Sequence, residues 1–396
     1  MTVFKSDYQL SKKQKLFLIS AIVLALILAL YYVVSHLYST DFGHDESRYI
    51  NMAQQLVEKH IYGYSSEVPN AFVPPGYPLF LSFCYLIFGF SPRGLAAIRI
   101  IQTIFSVLTV YLTFVFSSKL TGNNTVGIIS AFLIALNINF YSYTFSFLTE
   151  NLYFFLMMIF AVFFLYTARQ DKLWPHFISG ILFSACIMVR SAIFPIILTV
   201  YIPVFIKYKN EKKVALTRFL LFVAGFIVLA LPWWVRNAVV LHEFIPFCKQ
   251  DHIFFAGLAE DIYSLDYSQP NGIVGNIAVF FDLLGKDPVG TLSWDTLGKF
   301  KVIFLDYGNS INELFSEFVS CITVFCGLPI CIKGLFCKEN RWAFITFFIY
   351  LLTVFLGVPS QRYGLQFMFF LSACAAYTFY IIFSSKGVFS KLNDNR

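Results

Sequence analysis

Charged residues are scarce in this chain of 396 residues. Asp, Glu, Lys and Arg make up 13% of it and hydrophobic residues 58%, whereas soluble domains carry roughly 25% charged residues. This composition excludes an ordinary soluble enzyme or binding domain. The sequence also has no internal repeat, no low-complexity segment and no soluble domain of ordinary size. Any chemistry is therefore expected at a membrane surface.

Cysteine and histidine patterns that hold metals are also missing. The chain has eight cysteines and six histidines, and no spacing among them matches a metal site or a disulfide framework. Most of the cysteines lie in apolar segments, while Cys337 lies in a basic turn and Cys248 in a long polar loop. We interpret the cysteines as small buried hydrophobic residues.

Long apolar runs are abundant instead. A membrane-spanning helix needs about 20 consecutive, predominantly apolar residues. We predict an all-α polytopic membrane protein with about ten spans (10–12) in a single membrane-embedded domain, 1–396. The first run is read as a retained anchor because no cleavage site follows it. The run 78–90 is too short to span and is placed at the interface or as a re-entrant segment. The spans are expected at about 16–38, 95–118, 125–143, 149–168, 175–189, 192–206, 216–235, 314–334, 341–358 and 364–384.

The distribution of charge predicts the topology. With ten spans, the side that holds the N-terminal tail carries 18 of the 29 basic residues and five of the 22 acidic ones. The positive-inside rule then places both termini in the cytoplasm and two large loops, 39–94 and 236–313, outside a plasma or inner membrane. The net charge of +7 follows this topology and does not indicate nucleic-acid binding.

A polar segment at 43–63 follows the first span. Asp45 is expected to cap a helix whose apolar stripe runs from Tyr49 to Val57, with Glu46 favoured in the first turn. Such a helix lies on the membrane surface and does not cross it.

Polar residues gather at the predicted outer ends of the spans, where ionisable groups are costly and often functional. Carboxylates beside several arginines suit a phosphate-bearing lipid substrate, because arginine binds phosphate through two donors and a carboxylate can accept a proton. Helix capping by the acids and snorkelling of the arginines are the structural alternatives. These residues are Asp41, Asp45, Glu46, Arg48, Glu150, Asn151, Arg190, Arg236, Asn237, His242, Arg362 and Tyr363.

Six motifs, taken in order, resemble the GT-C glycosyltransferases of the protein O-mannosyltransferase and lipid A aminoarabinose transferase group. They begin with an Asp-Glu pair in the first outer loop and end with an Arg-Tyr element. The motifs are HDESRY (44–49), VPPGYPLFLSFCYLIFG (73–89), FSFLTENLYFFL (145–156), GILFSACIMVRSAIFPI (180–196), LPWWVRNAVVLHEFIPF (231–247) and SQRYGLQFMFFLSACAAY (360–377).

The resemblance implies a GT-C fold and an inverting hexosyl- or pentosyl-type transfer from a polyprenyl-monophosphate sugar to a lipid, glycan or protein acceptor. No obligatory metal or other cofactor is expected, and the bilayer itself is a partner. The implied roles are catalytic for Asp45 and Glu150, donor-phosphate binding for Arg48, Tyr49, Arg236 and Arg362, and supporting for Glu46, Arg190 and Tyr363.

One departure from the group concerns the Pro-rich stretch, where the aminoarabinose transferases carry a phosphate-contacting lysine. Here that neighbourhood reads Val73, Pro74, Pro75, so another arginine or a loop lysine, Lys299 or Lys301, is expected to replace it. The chain is also shorter than those relatives, so their particular acceptor is not assigned to it.

Three alternatives remain open from the sequence. A transporter or flippase for lipid-linked sugars would favour charged or broken positions at mid-membrane, whereas the arginines lie at span ends. A non-catalytic scaffold would tolerate replacement of the outer acids. An oligosaccharyltransferase with a pyrophosphate donor usually carries metal ligands and a large soluble domain.

Overall fold

Helices form every regular element of the computed structural model within the residues that it describes, 10–249, 256–260, 273–305, 310–337 and 341–385. The predicted all-α class is therefore confirmed. Both termini and parts of the predicted second loop, 250–255, 261–272 and 306–309, lie outside the described residues.

The described helices are numbered in chain order. They are α1 Lys12–His36, α2 His44–Glu58, α3 Gly76–Phe88, α4 Pro92–Thr121, α5 Asn124–Ala135, α6 Asn139–Phe145, α7 Thr149–Thr167, α8 Trp174–Val189, a 3-10 segment Ser191–Ile196, α9 Ile197–Val200, α10 Ile202–Lys207, α11 Lys212–Val240, α12 Ile273–Lys286, α13 Pro288–Ser293, a π turn Trp294–Gly298, α14 Lys299–Phe304, α15 Ile311–Gly334, α16 Arg341–Phe355 and α17 Gln361–Ser384.

Six helices are long and apolar enough to cross a membrane: α1, α4, α7, α11, α15 and α17. They coincide with six of the predicted spans, and the chain is a multi-pass membrane protein. One bent pair of helices, α5 and α6, qualifies as a seventh. Three further predicted spans correspond to shorter apolar segments, α8, the 3-10 segment through α10, and α16. The count of ten spans stays a prediction.

The predicted span 125–143 is broken. Helices α5 and α6 meet at an angle of 63°, around Asn137, whose side chain is buried. Asn137 Nδ2 donates to Ser320 Oγ at 3.1 Å, and the Asn139 backbone N–H donates to Ser316 Oγ at 2.9 Å. Asparagine is a weak helix former, and these two bonds to α15 hold the chain at the break.

The predicted span 192–206 is also interrupted. It consists of the 3-10 segment followed by the short helices α9 and α10. Pro195 lies inside the 3-10 segment and Pro203 in the first turn of α10. Proline has no backbone N–H and clashes with the preceding turn, so a continuous helix cannot form here.

Helix α2 begins one residue before the expected cap. Gly43 is the residue before the helix, and its backbone N–H donates to Glu46 Oε2 at 2.8 Å. Asp45 lies within the first turn and does not cap the helix. The expectation that Asp45 caps was wrong because Glu46, three residues after Gly43, reaches back to the free N–H. The carboxylate of Asp45 is therefore free for other contacts.

Two short helices, α2 and α3, occupy the predicted first outer loop, 39–94. They pack against each other, and Ser82 Oγ donates to the Ala53 carbonyl at 3.3 Å. Tyr85 Oη donates to Glu58 Oε1 at 2.5 Å. Helix α3 contains most of the run 78–90 and ends at Phe88, and its 13 residues are too few to span a bilayer.

Hydrogen bonds join the helix ends into two separate groups. In one group, Arg99 near the start of α4 donates to the carbonyls of Leu37, Ser39 and Phe145, and so joins the ends of α1 and α6. In the other, Arg218 near the start of α11 donates to the Asp171 carbonyl, and Lys207 at the end of α10 donates to the Arg169 carbonyl. The first group borders the acidic motifs, and the second carries the basic turns.

Candidate active site

Residues from four helices meet at the end of the bundle that holds α2. Asp45 comes from the first turn of α2, Glu150 from the first turn of α7, Arg190 follows α8, and Arg362 begins α17. Arg362 Nη1 lies 3.4 Å from Asp45 Oδ2, and Arg362 Nε lies 3.7 Å from Glu150 Oε1. The two acidic motifs, more than 100 residues apart in sequence, are thus bridged by the closing Arg-Tyr motif.

Arg190 completes this cluster. Its Nη2 lies 3.2 Å from Glu150 Oε1, and its guanidinium lies over the ring of Tyr363 at 4.7 Å from the centroid. Arg362 also contacts the Tyr363 ring, at 5.4 Å. Contacts of this length are within the range of cation–π attraction. Tyr363 therefore lies against both arginines that pair with Glu150.

The two carboxylates differ in their access to solvent. The Asp45 side chain is 38% exposed and that of Glu150 is 1% exposed. A substrate can reach Asp45 directly, whereas Glu150 is enclosed by Arg190 and Arg362. Thr149 Oγ1 donates a hydrogen bond to Glu150 Oε2 at 3.3 Å.

Tyr64 joins the site, although the sequence offered no signal for it beyond a tyrosine in a polar loop. Tyr64 Oη donates to Asp45 Oδ1 at 3.2 Å and accepts from Arg48 Nη1 at 3.3 Å. The Arg48 guanidinium also lies 5.0 Å from the Tyr64 ring centroid, and Arg48 Nη2 contacts His44 Nε2 at 2.9 Å. Burial is the main reason that the pKa of Tyr64 lies above its usual value, so the hydroxyl keeps its proton and donates to Asp45.

Tyr49 lies on the inner side of this group. Its ring meets Tyr64 edge-on at 6.1 Å and Tyr77 edge-on at 5.2 Å between centroids. Burial, and after it the nearby charge of Glu150, raise the pKa of Tyr49 far above its usual value. Tyr49 therefore acts as a neutral wall of the site.

Glu46 has a structural contact on each carboxylate oxygen. Oε2 accepts from Gly43 and Oε1 accepts from the Phe147 backbone N–H at 2.7 Å. This pair of bonds joins the start of α2 to the link between α6 and α7. Glu46 thereby fixes Asp45 relative to Glu150.

Arg236 is not among the ion pairs that join Asp45, Glu150, Arg190 and Arg362. Its Nη1 donates to the Asn70 carbonyl and to Asn237 Oδ1, both at 2.9 Å, and its Nη2 donates to the Tyr62 carbonyl at 3.0 Å. The Asn70 side chain in turn accepts from the Tyr64 backbone N–H at 3.1 Å. Arg236 is thus connected to Asp45 through Asn70 and Tyr64.

The side chains of Asn237 and Asn151, which also belong to the motifs, make structural hydrogen bonds. Asn237 Nδ2 donates to the Ile245 carbonyl at 2.9 Å, and Asn151 Nδ2 donates to Ser106 Oγ at 2.7 Å. Lys299, expected as a substitute phosphate ligand, is buried; its Nζ lies 2.5 Å from Asp295 Oδ1 and 2.9 Å from the Phe355 carbonyl. Lys301 is exposed on the same helix, α14.

Within the described ranges, no three His, Cys, Asp or Glu residues are grouped as metal ligands. The two carboxylates of the site are bridged by Arg362 and flanked by Arg190 and Arg48. This donor set suits an anionic group, because guanidinium donors bind phosphate through paired hydrogen bonds.

Known proteins resemble this chain in part of the sequence and in the fold. Residues 73–235 match the family described as dolichyl-phosphate-mannose-protein mannosyltransferase. The structure of ArnT from Cupriavidus metallidurans bound to undecaprenyl phosphate aligns with 91% of this chain at a TM-score of 0.54 and 14% identity. This chain has the GT-C fold.

Two structures of an oligosaccharyltransferase also align with this chain. The Archaeoglobus fulgidus oligosaccharyltransferase AglB, in complex with an inhibitory peptide and a dolichol-phosphate, aligns with 98% of the chain at a TM-score of 0.53 and 12% identity. The same organism's oligosaccharyltransferase in complex with Zn and sulfate aligns with 94% at 0.55 and 13% identity. No curated protein sequence matches. The predicted resemblance to the protein mannosyltransferase and ArnT group is confirmed for the fold and for the family match over residues 73–235.

This chain is much shorter than the chains of these three structures. It spans 59% of the ArnT chain and 53% and 50% of the two oligosaccharyltransferase chains. The family match covers Glu150 and Arg190 but neither Asp45 nor Arg362. The roles of the individual site residues therefore stay predictions.

Proposed function

We propose that the protein is a membrane glycosyltransferase that moves a sugar from a polyprenyl-monophosphate donor to a lipid, glycan or protein acceptor outside the cell membrane. The observation that carries this proposal is the partly exposed Asp45 carboxylate, which contacts Arg362 and is joined to Arg48 through the Tyr64 hydroxyl. The ligands named for the related structures, undecaprenyl phosphate and dolichol-phosphate, support a lipid phosphate as the group that these arginines bind.

In the proposed reaction, an acceptor hydroxyl attacks the anomeric carbon of the donor sugar. Asp45 takes the hydroxyl proton as the new glycosidic bond forms. The bond between the anomeric carbon and the phosphate oxygen breaks on the opposite face, which inverts the configuration. The electron pair leaves with the polyprenyl phosphate, and Arg362 and Arg48 stabilise the charge that develops there.

The ion pairs suggest how the two acids divide the work. The Asp45–Arg362 contact is long, at 3.4 Å, so a donor phosphate can replace Asp45 as the partner of Arg362. Asp45 is then released as a base next to the acceptor. Glu150 is buried between Arg190 and Arg362 and acts as a positioning residue for both guanidinium groups.

An apolar cavity of about 130 Å³ lies between α7, α16, α17 and the 3-10 segment, with Tyr350 and Gln366 on its lining. Tyr350 Oη donates to Gln366 Oε1 at 2.6 Å and contacts Tyr153 Oη. The Tyr153 ring in turn lies 5.8 Å from the Arg190 guanidinium. A cavity of this size, connected to the charged cluster through Tyr350 and Tyr153, suits a short stretch of an isoprenoid chain.

The test is transfer from labelled polyprenyl-phosphate sugars to membrane acceptors by the full-length protein. Asp45→Asn is expected to lower the rate by about 10²- to 10⁴-fold, the usual contribution of a general base. Asp41→Asn, which changes an exposed acid four residues earlier, is the control and should keep the wild-type rate. A wild-type rate in Asp45→Asn would show that the catalytic assignment is wrong. EDTA should leave the rate unchanged, since the proposed phosphate ligands are arginines.

A transporter of lipid-linked sugars is the second candidate, and the break between α5 and α6 favours it, because discontinuous helices are typical of transporters. Movement of the labelled lipid between leaflets without formation of a glycosidic bond would support this candidate. Bond formation lost in Asp45→Asn would exclude it as the main activity.

A further inference from the structure

A polar cavity of about 340 Å³ lies beside the site, between α2 and the loop that follows it. Arg48, Asn51 and Gln55 line one wall, and their spacing of three and four residues places them on one face of the helix. Ser65, Ser66 and Glu67 line the other wall. The volume is at the lower end of the range for small-molecule sites, about 300–1,000 Å³.

The lining of this cavity differs from a lipid site. It consists of two amides, two hydroxyls, one guanidinium and one carboxylate, so donors and acceptors alternate around it. Gln55 Oε1 is buried and has no hydrogen-bond partner among the described residues. Buried polar atoms are normally paired, and rotation of the Gln55 amide into the cavity would let this oxygen accept a hydrogen bond from a ligand.

A sugar meets these requirements. Each sugar hydroxyl can donate one hydrogen bond and accept others, so a ring carrying several hydroxyls pairs with amides, hydroxyls and a carboxylate together. A phosphate alone would pair with Arg48 but would face the carboxylate of Glu67, which already has an ion pair with Lys59. An isoprenoid chain would leave all of these polar groups without partners.

The cavity is connected to the proposed base. Arg48 forms part of its wall and donates to Tyr64 Oη at 3.3 Å, and Tyr64 Oη donates to Asp45 at 3.2 Å. Asn70 holds the loop that forms the second wall, since its Oδ1 accepts from Tyr64 N–H and its Nδ2 donates to the Val68 carbonyl. A ligand in the cavity is therefore one side chain away from Tyr64, which contacts Asp45.

We propose that this cavity is a saccharide subsite, in which Asn51 and Gln55 select for hydroxyl groups. The inference rests on the proposed glycosyl transfer and deepens it. The sugar has two possible sources with the same chemistry: the sugar of the lipid-linked donor, or a sugar residue of a glycan acceptor.

The first experiment measures binding of a panel of free hexoses, N-acetylhexosamines and pentoses to the full-length protein in lipid nanodiscs, by saturation-transfer NMR. At least one of these sugars should bind. Gln55→Ala and Asn51→Ala should each weaken its binding about three- to tenfold, the effect of losing one or two hydrogen bonds. Gln54→Ala is the matched control, because Gln54 lies outside the cavity and donates to Glu58 at 3.1 Å. It should bind like the wild type.

The proposal is overturned if no sugar of the panel binds, or if binding is the same in Gln55→Ala and in the wild type. A second arm separates the two sources. The polyprenyl phosphate that carries the best-bound sugar of the panel should displace the free sugar if the cavity holds the donor sugar, while sugar-free polyprenyl phosphate should not. If neither lipid displaces it, the cavity holds the acceptor.

The sugar-binding measurement and the transfer assay can fail separately. Sugar binding is measured without turnover, whereas the transfer assay depends on Asp45. Loss of transfer with sugar binding intact in Asp45→Asn supports both proposals. Sugar binding that depends on Gln55, in a protein that never forms a glycosidic bond, contradicts only the transferase and retains the subsite.

Discussion

Asp45 and Glu150 carry the same charge but meet different surroundings. The Asp45 carboxylate is partly exposed, receives a hydrogen bond from Tyr64 and has a long contact with Arg362. The Glu150 carboxylate is enclosed between two guanidinium groups. An exposed ion pair contributes little to stability, whereas a buried one is costly to break because the remaining charge is left without a partner.

This difference predicts unequal effects of two neutral substitutions on stability. Glu150→Gln should destabilise the protein by about 3–5 kcal/mol, because Arg190 then remains largely buried without its carboxylate partner, while Arg362 keeps only Asp45. Asp45→Asn should change stability by less than about 1 kcal/mol. Thermal unfolding of both variants in detergent measures the difference. Equal unfolding temperatures would contradict the arrangement in which Glu150 positions the arginines.

At the scale of elements, Arg236 connects the end of α11 to the loop after α2. Its guanidinium donates to the Asn70 and Tyr62 carbonyls, and Asn70 holds Tyr64. Trp233 Nε1 strengthens the same region by donating to the Phe247 carbonyl at 2.9 Å. The Pro-Trp-x-x-Arg-Asn motif therefore fastens both predicted outer loops to one helix end.

Arg236→Ala is expected to loosen the loop that carries Tyr64 and to lower transfer about tenfold or more, although Arg236 is not paired with Asp45. Hydrogen–deuterium exchange should increase in residues 62–72. Arg93→Ala, which removes an exposed arginine from the first turn of α4, is the control for loss of charge. Lower transfer with unchanged exchange in 62–72 would indicate direct phosphate binding by Arg236 instead.

Helices α8 and α11 approach closely at a pair of glycines. A Cβ added at Gly180 would lie 1.9 Å from the Phe222 carbonyl oxygen, and one added at Gly225 would lie 2.0 Å from that of Phe177. Small residues permit such contacts between membrane helices. Since Arg190 follows α8 and Arg236 lies on α11, this contact sets the distance between two motifs.

Gly180→Ala and Gly225→Ala should each destabilise the protein by about 1–3 kcal/mol, since overpacking forces the backbones apart. Gly285→Ala is the matched control, because a Cβ there has no atom within 4 Å and the helix gains a better helix former. Unfolding temperatures measured in detergent compare the three variants. A wild-type temperature for Gly180→Ala would contradict the close contact.

At the scale of the whole molecule, polar and charged groups separate to the two ends of the bundle. Asp45, Glu150 and Arg362 share one end, while Arg169, Lys207 and Arg218 are joined at another set of helix ends. This separation agrees with the alternation of loops that the charge distribution predicts. Which end faces the cytoplasm stays a prediction.

Labelling of an introduced cysteine tests that orientation. In a variant with Cys248 and Cys337 replaced by serine, Arg93→Cys should react with a membrane-impermeant maleimide in intact cells. Lys172→Cys, exposed in the link between α7 and α8, should react only after the membrane is opened. The reverse pattern would place the candidate site in the cytoplasm and rule out the proposed extracytoplasmic transfer.

The sequence by itself determined the membrane class, six long spans and the acidic and arginine motifs of the site. These features depend on local composition, since about 20 apolar residues suffice for a span and ionisable groups are restricted to its ends. The same local signals placed α3 outside the spans and predicted the helix that begins beside Asp45.

Only the tertiary structure decided which polar residues meet. The break at Asn137 depends on hydroxyl groups of α15 nearly 180 residues later, and Tyr64 reaches Asp45 only because Asn70 and Arg236 hold its loop. The unequal burial of Asp45 and Glu150 likewise depends on distant contacts, since Arg362 contacts both carboxylates whereas Arg190 pairs with Glu150. Contacts between distant segments carry no periodicity in the sequence, so the division of roles between the two acids emerged only from the packed helices.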